Sequence, residues 1–324
     1  MFFLGLDIAK LTFEVCLLDY EGKTLARSSF KRTLDGMGQL LAWTKTHTKN
    51  FDVWAHMEAT GDLWLMPARF LNDAGFKVSV LNPQRIHHFA KSLMRRHKND
   101  VLDAHLLALY GHRMRPELWK AIEPLRFEFR ALMRRIRQLT LMRNQEKNRL
   151  SSLELSRLES ESLERMLEML GREQEQLWEQ AWVMVESDQA LKKEIELVSS
   201  IKGIGRKTAA QLMGEILSLE RFENAKKISC WAGLIPSEFS SGTSVKKEDE
   251  LCAQGCRPIR YVLYMPALSA MRYNEPIKCL VERLKDRGKT GKERVVAAMH
   301  KLLRQVYGVL NSGQPFDEKR SLST

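Results

Sequence analysis

Three short β-rich runs, then helical segments alternating with apolar strands, then a long stretch without proline predict an α/β domain followed by a largely α-helical remainder. The β-rich runs are residues 2–8, 11–18 and 24–31, separated by a tight connection at Ala9-Lys10 and by the turn-forming Asp19-Tyr20-Glu21-Gly22. A three-stranded meander follows from that spacing. Between Gly36 and His47, Leu40, Leu41 and Trp43 recur at helical intervals, and Asp52 to Met57 forms a further apolar run. Leu63 to Leu71 is again helical before Gly75 stops it, and Lys77 to Leu81 reads as a strand closed by Asn82-Pro83. A helix containing Asp100 and Asp103 comes next.

No proline occurs between Pro124 and Pro236, and between His112 and Lys202 the only glycine is Gly171, so this region is strongly helical. Leu132, Ile136 and Leu139, then Leu163, Leu167, Leu170 and Leu177, recur at intervals that resemble a coiled-coil seam. A long hairpin or an intermolecular coiled coil fits this pattern, and a plain spacer is the bland alternative. The expected domains are an α/β domain over 1–124, coiled-coil helices over 125–198 and a mainly helical domain over 199–324. The opening order β-β-β-α-β-α-β, with a helix after it, is that of an RNase H-like fold.

Such a fold gives four acids a common geometry. Asp7 lies on the first strand and Glu58 ends the fourth, and these strands are neighbours in folds of this order. Asp100 and Asp103, three apart, project from one face of the following helix. Converging carboxylates without basic partners repel one another, and Mg²⁺ or Mn²⁺, hard cations that take oxygen ligands and bridge to phosphates, relieve the repulsion. Metal-assisted chemistry on a phosphodiester is therefore expected. His105 is near enough in sequence to support a ligand, although a lone helical histidine is more often structural or solvated.

Charge agrees with a polyanionic partner. The 324-residue chain carries a formal net charge of +12, with an isoelectric point near 9.5. Residues 84–149 hold sixteen Lys or Arg against six acids, and residues 201–324 hold twenty-two against thirteen, whereas residues 150–200 hold five against twelve. This segregation favours nucleic-acid contact in the two basic segments. Candidate contacts are Arg95, Arg96, Lys98, Arg134 and Arg135 in the first, and Lys202, Arg206, Lys207, Lys246 and Lys247 in the second. The five cysteines are an odd number in a chain whose short apolar start, MFFLGLDI, is neither a signal peptide nor a membrane span. A bacterial-type cytoplasm and no membrane partner are the corresponding expectations.

Ile201-Lys202-Gly203-Ile204-Gly205-Arg206-Lys207-Thr208 places two glycines at a helix start, as in a helix-hairpin-helix that offers backbone N–H groups to phosphate. It lacks the full spacing of a nucleotide-binding P-loop. Phe239-Ser240-Ser241-Gly242-Thr243-Ser244 reads by composition as a surface loop, within which Ser240, Ser241 and Ser244 are not distinguished.

Together these motifs resemble the transposases of the insertion-sequence-110 family, related to Piv-type DNA invertases, over nearly the whole chain. GLDIAK with Asp7, MEATG with Glu58 and KNDVLDA with Asp100 and Asp103 resemble the family's RuvC-like acid set. IKGIGRKTA, WAGLIP, FSSGTS, the helix around Arg260 to Pro266 and YGVLNSGQPFD resemble its C-terminal transposase domain. The resemblance implies DNA strand exchange with Mg²⁺ or Mn²⁺ on the four acids, with Ser241 as the nucleophile that joins DNA covalently. It also implies a structured noncoding bridge RNA that pairs with target and donor DNA, and assembly as a homodimer or homotetramer. Where the family commonly has threonine before the third acid, this chain has Asn99. A metal-dependent structure-selective endonuclease or junction resolvase that uses water is the alternative, and a nonenzymatic RNA- or DNA-binding protein is a third class.

Overall fold

The computed structural model describes residues 1–48, 52–61, 63–93, 100–152, 154–235, 240–241, 245–246 and 255–319, with only the backbone described at 100–102, 240–241 and 245–246. The chain divides into two compact units, Met1–Ala121 and Ile122–Thr324.

In the first unit the predicted meander forms as β1 (Phe2–Ile8), β2 (Thr12–Leu18) and β3 (Thr24–Lys31). It is followed by α1 (Leu34–His47), β4 (Val53–Glu58), α2 (Leu65–Asp73), β5 (Lys77–Leu81), α3 (Pro83–Ser92) and α4 (Asp100–Met114). The sheet order is β3-β2-β1-β4-β5. The meander pairs antiparallel, and β1, β4 and β5 run parallel. The period of two sends Leu4, Leu6, Phe13, Val15, Ala55 and Met57 to one face, where they pack with Met37 and Leu40 of α1 and Ala68 and Leu71 of α2. Phe3, Cys16, Leu18 and Trp54 turn to the other face, against Ala104 and Ala108 of α4. Asn82-Pro83, read above as the end of a strand, also starts α3. The Asn82 side chain accepts from the Gln84 N–H and Pro83 occupies the first turn, where its missing N–H costs nothing.

α4 lies unusually close to the sheet because two glycines remove the side chains between them. A Cβ on Gly5 would sit 2.0 Å from the Ala104 carbonyl oxygen and 2.6 Å from the Ala108 nitrogen. One on Gly111 would sit 2.1 Å from Nε2 of His56. His56 is fully buried, and burial pushes its pKa down to about 3, so the ring is neutral beneath the helix.

The second unit begins with α5 (Pro124–Leu150) and α6 (Arg157–Ser187), an antiparallel pair. A capping box between Ser156 and Glu159 starts α6. Gln174 donates to the Thr140 hydroxyl at 2.7 Å midway along the pair, and Arg126 meets Asp188 at 3.3 Å at its base. The hairpin alternative is thus the arrangement found. Ile136, Leu139 and Leu170 of the predicted seam are buried. The remaining helices are α7 (Gln189–Ser199), α8 (Arg206–Ile216), α9 (Ala225–Ala232), α10 (Arg257–Tyr273), α11 (Glu275–Asp286) and α12 (Gly291–Ser312), with a small antiparallel pair β6 (Ser240–Ser241) and β7 (Val245–Lys246) between α9 and α10. One apolar core runs from Phe129 and Trp178 through Ile216 and Leu263 to Val309, so the segments expected separately at 125–198 and 199–324 share it. Among the described residues no helix is long and apolar enough to cross a membrane.

Glu215 on α8 is 3% exposed and faces three arginines of α5: Arg137 at 3.1 Å, Arg134 at 3.4 Å and Arg130 at 3.9 Å. Removing either side of such a buried contact leaves the other side's polar groups without their partner. The contact ties α8 to the hairpin across a large sequence distance.

Two outcomes follow. Gly5→Ala forces α4 off the sheet, with an expected loss of about 1–3 kcal/mol or more in chemical unfolding; an unchanged midpoint would mean that α4 has room to give. Glu215→Ala leaves the arginines without their shared anion, with an expected loss of about 3–5 kcal/mol. A loss indistinguishable from zero would show those arginines to be satisfied by water.

Candidate active site

Parallel pairing of β1 and β4 matches Leu4 with Ala55, Gly5 with His56 and Leu6 with Met57. One further step of the same offset brings Asp7 level with Glu58, about 4.8 Å away, the spacing of adjacent strands. By the alternation set out above, both point to the α4 face. The contact of Gly5 with Ala104 and Ala108 then sets the first turn of α4, with Asp103 and the backbone of Asp100, over the same strand ends. Asp7, Glu58 and Asp103 are half-buried, as is His105. The positive end of the helix macrodipole lies at this turn and favours anions there.

The structure adds one acid that the sequence reading passed over. Glu14 of β2 is paired directly with Asp7, and its neighbours Phe13 and Val15 point to the opposite face. Glu14, Asp7 and Glu58 therefore form a row across three adjacent strands. Like charges directly opposite one another weaken a sheet unless other groups compensate them. The signal for Glu14 was the hairpin register, which its own sequence context does not reveal. Every donor in the set is a carboxylate oxygen, the chemistry suited to Mg²⁺ or Mn²⁺. Among the described residues no three acidic, histidine or cysteine side chains already form a metal cluster, and the Asp100 side chain lies outside them.

In the second unit Ser241 is the last residue of β6 and pairs with Val245, while Ser240 pairs with Lys246. Ser244 and Lys247 lie outside the described residues, as do Arg95, Arg96 and Lys98. The two ends of the segment that carries Ser241 are pinned together. Gly233, with φ of +68°, terminates α9. A Cβ on Gly255 would fall 2.2 Å from the Gly233 Cα, so only glycine permits this approach. The Cys256 N–H donates to the Trp231 carbonyl at 2.9 Å, and Arg260 donates to that of Ala232 at 3.2 Å. Burial pushes the Cys256 thiol pKa up, and the charges of Glu215, Arg130 and Arg134 also act on it. The arginine cluster thus stands beside this neck.

The other basic candidates have specific surroundings. Arg134 is engaged with Glu215, and exposed Arg135 reaches Gln138 at 3.5 Å. Lys202 pairs with Glu318 at 3.1 Å. Arg206 lies 4.4 Å above the Trp182 ring and pairs with Glu186 at 3.2 Å, while Lys207 lies 5.2 Å above Trp178. These last two flank the N-terminus of α8, whose N-cap, Gly205, supplies no side-chain acceptor. Gly203, with φ of +105°, is turned inward, where a Cβ would meet Ala270 of α10 at 2.8 Å. Its missing side chain therefore serves packing within the protein.

Comparison with known proteins agrees with both units. Residues 4–158 match the IS110 DEDD transposase family model, described as a transposase, and residues 195–282 match the model for the transposase IS116/IS110/IS902 family. The chain is 31% identical over 322 residues to the pilin gene-inverting protein of Moraxella bovis, covering 98% of each chain. The pilin gene-inverting protein of Moraxella lacunata matches to the same extent. An uncharacterized 43.6 kDa protein of insertion element IS110 from Streptomyces coelicolor is 24% identical over 123 residues, 38% of this chain and 30% of its own. With both units matched by its models and a relative of this identity aligned end to end, the chain belongs to the IS110 family of transposases.

Proposed function

We propose that this protein is an RNA-guided DNA recombinase of a mobile element, one that cleaves and exchanges strands with a RuvC-like acid set and a serine nucleophile. Its family makes it a DNA-recombining enzyme. The observation that carries the finer reading is the level placement of Asp7 and Glu58 on parallel neighbours, beneath the first turn of α4. Asp7, Glu58, Asp100 and Asp103 would hold Mg²⁺ or Mn²⁺. When bound, the cation supplies Lewis acidity to a phosphoryl oxygen and offsets charge on the leaving oxygen.

Ser241 is the proposed nucleophile. Its hydroxyl oxygen would form a bond to phosphorus as a phosphorus–sugar oxygen bond breaks, the hydroxyl proton ending on the departing sugar oxygen, so the number of phosphoester bonds is conserved and the strands can rejoin by reversal. The arrangement around Gly233 and Gly255 supports this role by fixing where the segment leaves and re-enters the helical core. Target and donor DNA are the proposed substrates, and a noncoding bridge RNA supplies sequence choice by base pairing, as in other RNA-guided systems. A homodimer or homotetramer would bring the acid sets and serines of several chains to the strands being exchanged. The helix-hairpin-helix reading of α7 and α8 is retained for backbone binding, carried by exposed Lys202, Arg206 and Lys207.

Asp7→Ala, Glu58→Ala, Asp100→Ala and Asp103→Ala are expected to lower strand cleavage more than about a hundredfold, since even outer-shell partners of metal ligands cost 10–100-fold. Full activity in any two of them would rule out the four-acid site. Ser241→Ala is expected to bind DNA and RNA normally yet form no covalent protein–DNA adduct on denaturing electrophoresis, while Ser240→Ala and Ser244→Ala retain it. Undiminished strand cleavage by Ser241→Ala would instead return the enzyme to a nuclease that uses water.

A further inference from the structure

One face of α10 has no partner among the described residues. Ile259, Val262, Leu263, Ala267 and Ala270 are buried in the helical core, whereas the opposite stripe carries Arg257, Tyr261, Tyr264, Met265 and Arg272 at helical spacing. Tyr261 is 44% exposed, Tyr264 50% and Met265 67%. Arg257 and Arg272 are exposed at the two ends. Among the described residues neither is held in an ion pair, and α10 itself contains no acid. The stripe spans about 22 Å at the helical rise.

We infer that this face is a docking surface for unpaired RNA, with bases stacking on Tyr261 and Tyr264 and phosphates meeting Arg257 and Arg272. The assignment rests on the RNA-guided reading above and names a surface for that partner. Aromatic faces between cations are what single strands require, because every base has a face to stack and every linkage a charge to neutralise. Duplex DNA covers its base faces, so tyrosines would add little on it, whereas RNA exposes bases in loops and ends. A second copy of the chain fits poorly. Whether two α10 helices met parallel or antiparallel about a two-fold axis, arginine would oppose arginine with no acid on the helix to relieve it.

The test is binding of the full-length protein to a labelled single-stranded RNA of mixed sequence, with single-stranded DNA of the same sequence and duplex DNA alongside. Tyr261→Ala and Tyr264→Ala are each expected to weaken RNA binding about tenfold or more, the measured scale of a lost base–aromatic stack. Tyr261→Phe and Tyr264→Phe should restore it, and duplex binding should stay within about twofold, since phosphate contacts carry it. Arg257→Gln with Arg272→Gln should make RNA affinity less dependent on salt. Both tyrosines are exposed, so unchanged circular dichroism and thermal unfolding are expected of the variants.

Unchanged RNA affinity in the tyrosine variants would overturn the assignment. So would equal losses on duplex DNA, a larger loss on single-stranded DNA than on RNA, or a change of oligomeric state without a change in RNA affinity. A wild-type protein that binds no RNA would overturn the RNA-guided reading itself, an outcome distinct from normal binding that ignores these tyrosines.

Discussion

The close seating of α4 on the sheet governs the geometry of the acidic site. Gly5 and Gly111 leave no side chain between helix and strands, so the helix backbone approaches to where any Cβ would collide with it or with His56. His112 of α4 lies against Phe3, and Ala104 and Ala108 lie against Gly5, so the helix runs back along β1 and its first turn lies toward the Asp7 end of that strand. In the proposed cation site, a displacement of this helix would move Asp103 relative to Asp7 and Glu58, which matters where oxygen ligands are to share one ion. Neutral, buried His56 belongs to the same constraint, since a charged ring under the helix would be costly. Packing on both faces of the sheet holds the strands in the register that sets Glu14, Asp7 and Glu58 in one row.

The second unit uses a different device for the same end. Its core is continuous from the α5–α6 hairpin to α12, and the buried Glu215 locks three arginines of that hairpin to α8. Beside this lock, Gly233 and Gly255 bring the two ends of the Ser241 segment into backbone contact. The nucleophile proposed for Ser241 would need such a rigid base. The charge excess of the hairpin, read from the sequence as nucleic-acid surface, is thus in part internal. Arg130, Arg134 and Arg137 are turned toward one carboxylate, while Arg135 remains exposed.

Much of the first unit was legible because short strands and tight turns are local signals. The strands expected at 2–8, 24–31 and 77–81 match β1, β3 and β5, and the spacing of Asp100 and Asp103 placed them on one helix. α3 was missed although its start signal, an N-capping asparagine before a first-turn proline, was present. Glu14 was missed for a different reason. Its place opposite Asp7 depends on cross-strand register, which pairs residues through the turn and not through their own neighbours. The burial of Glu215 among arginines some eighty positions away and the contact of Gly255 with Gly233 are tertiary facts with no local pattern. Gly203 shows the converse, a local motif whose glycine is used for packing against α10.

The central claim is that α4 docking makes the acids into a cation site, and it is tested most directly by Mn²⁺ binding to a variant in which every acid is intact. Electron paramagnetic resonance titration of wild type against Gly5→Ala, at a temperature where both are folded, measures this. The account predicts saturable Mn²⁺ binding by wild type and at least about tenfold weaker binding by the variant, in line with the losses caused by displaced supporting groups. Equal affinity in the two proteins would contradict it, because the acids would then hold the ion without the helix being seated.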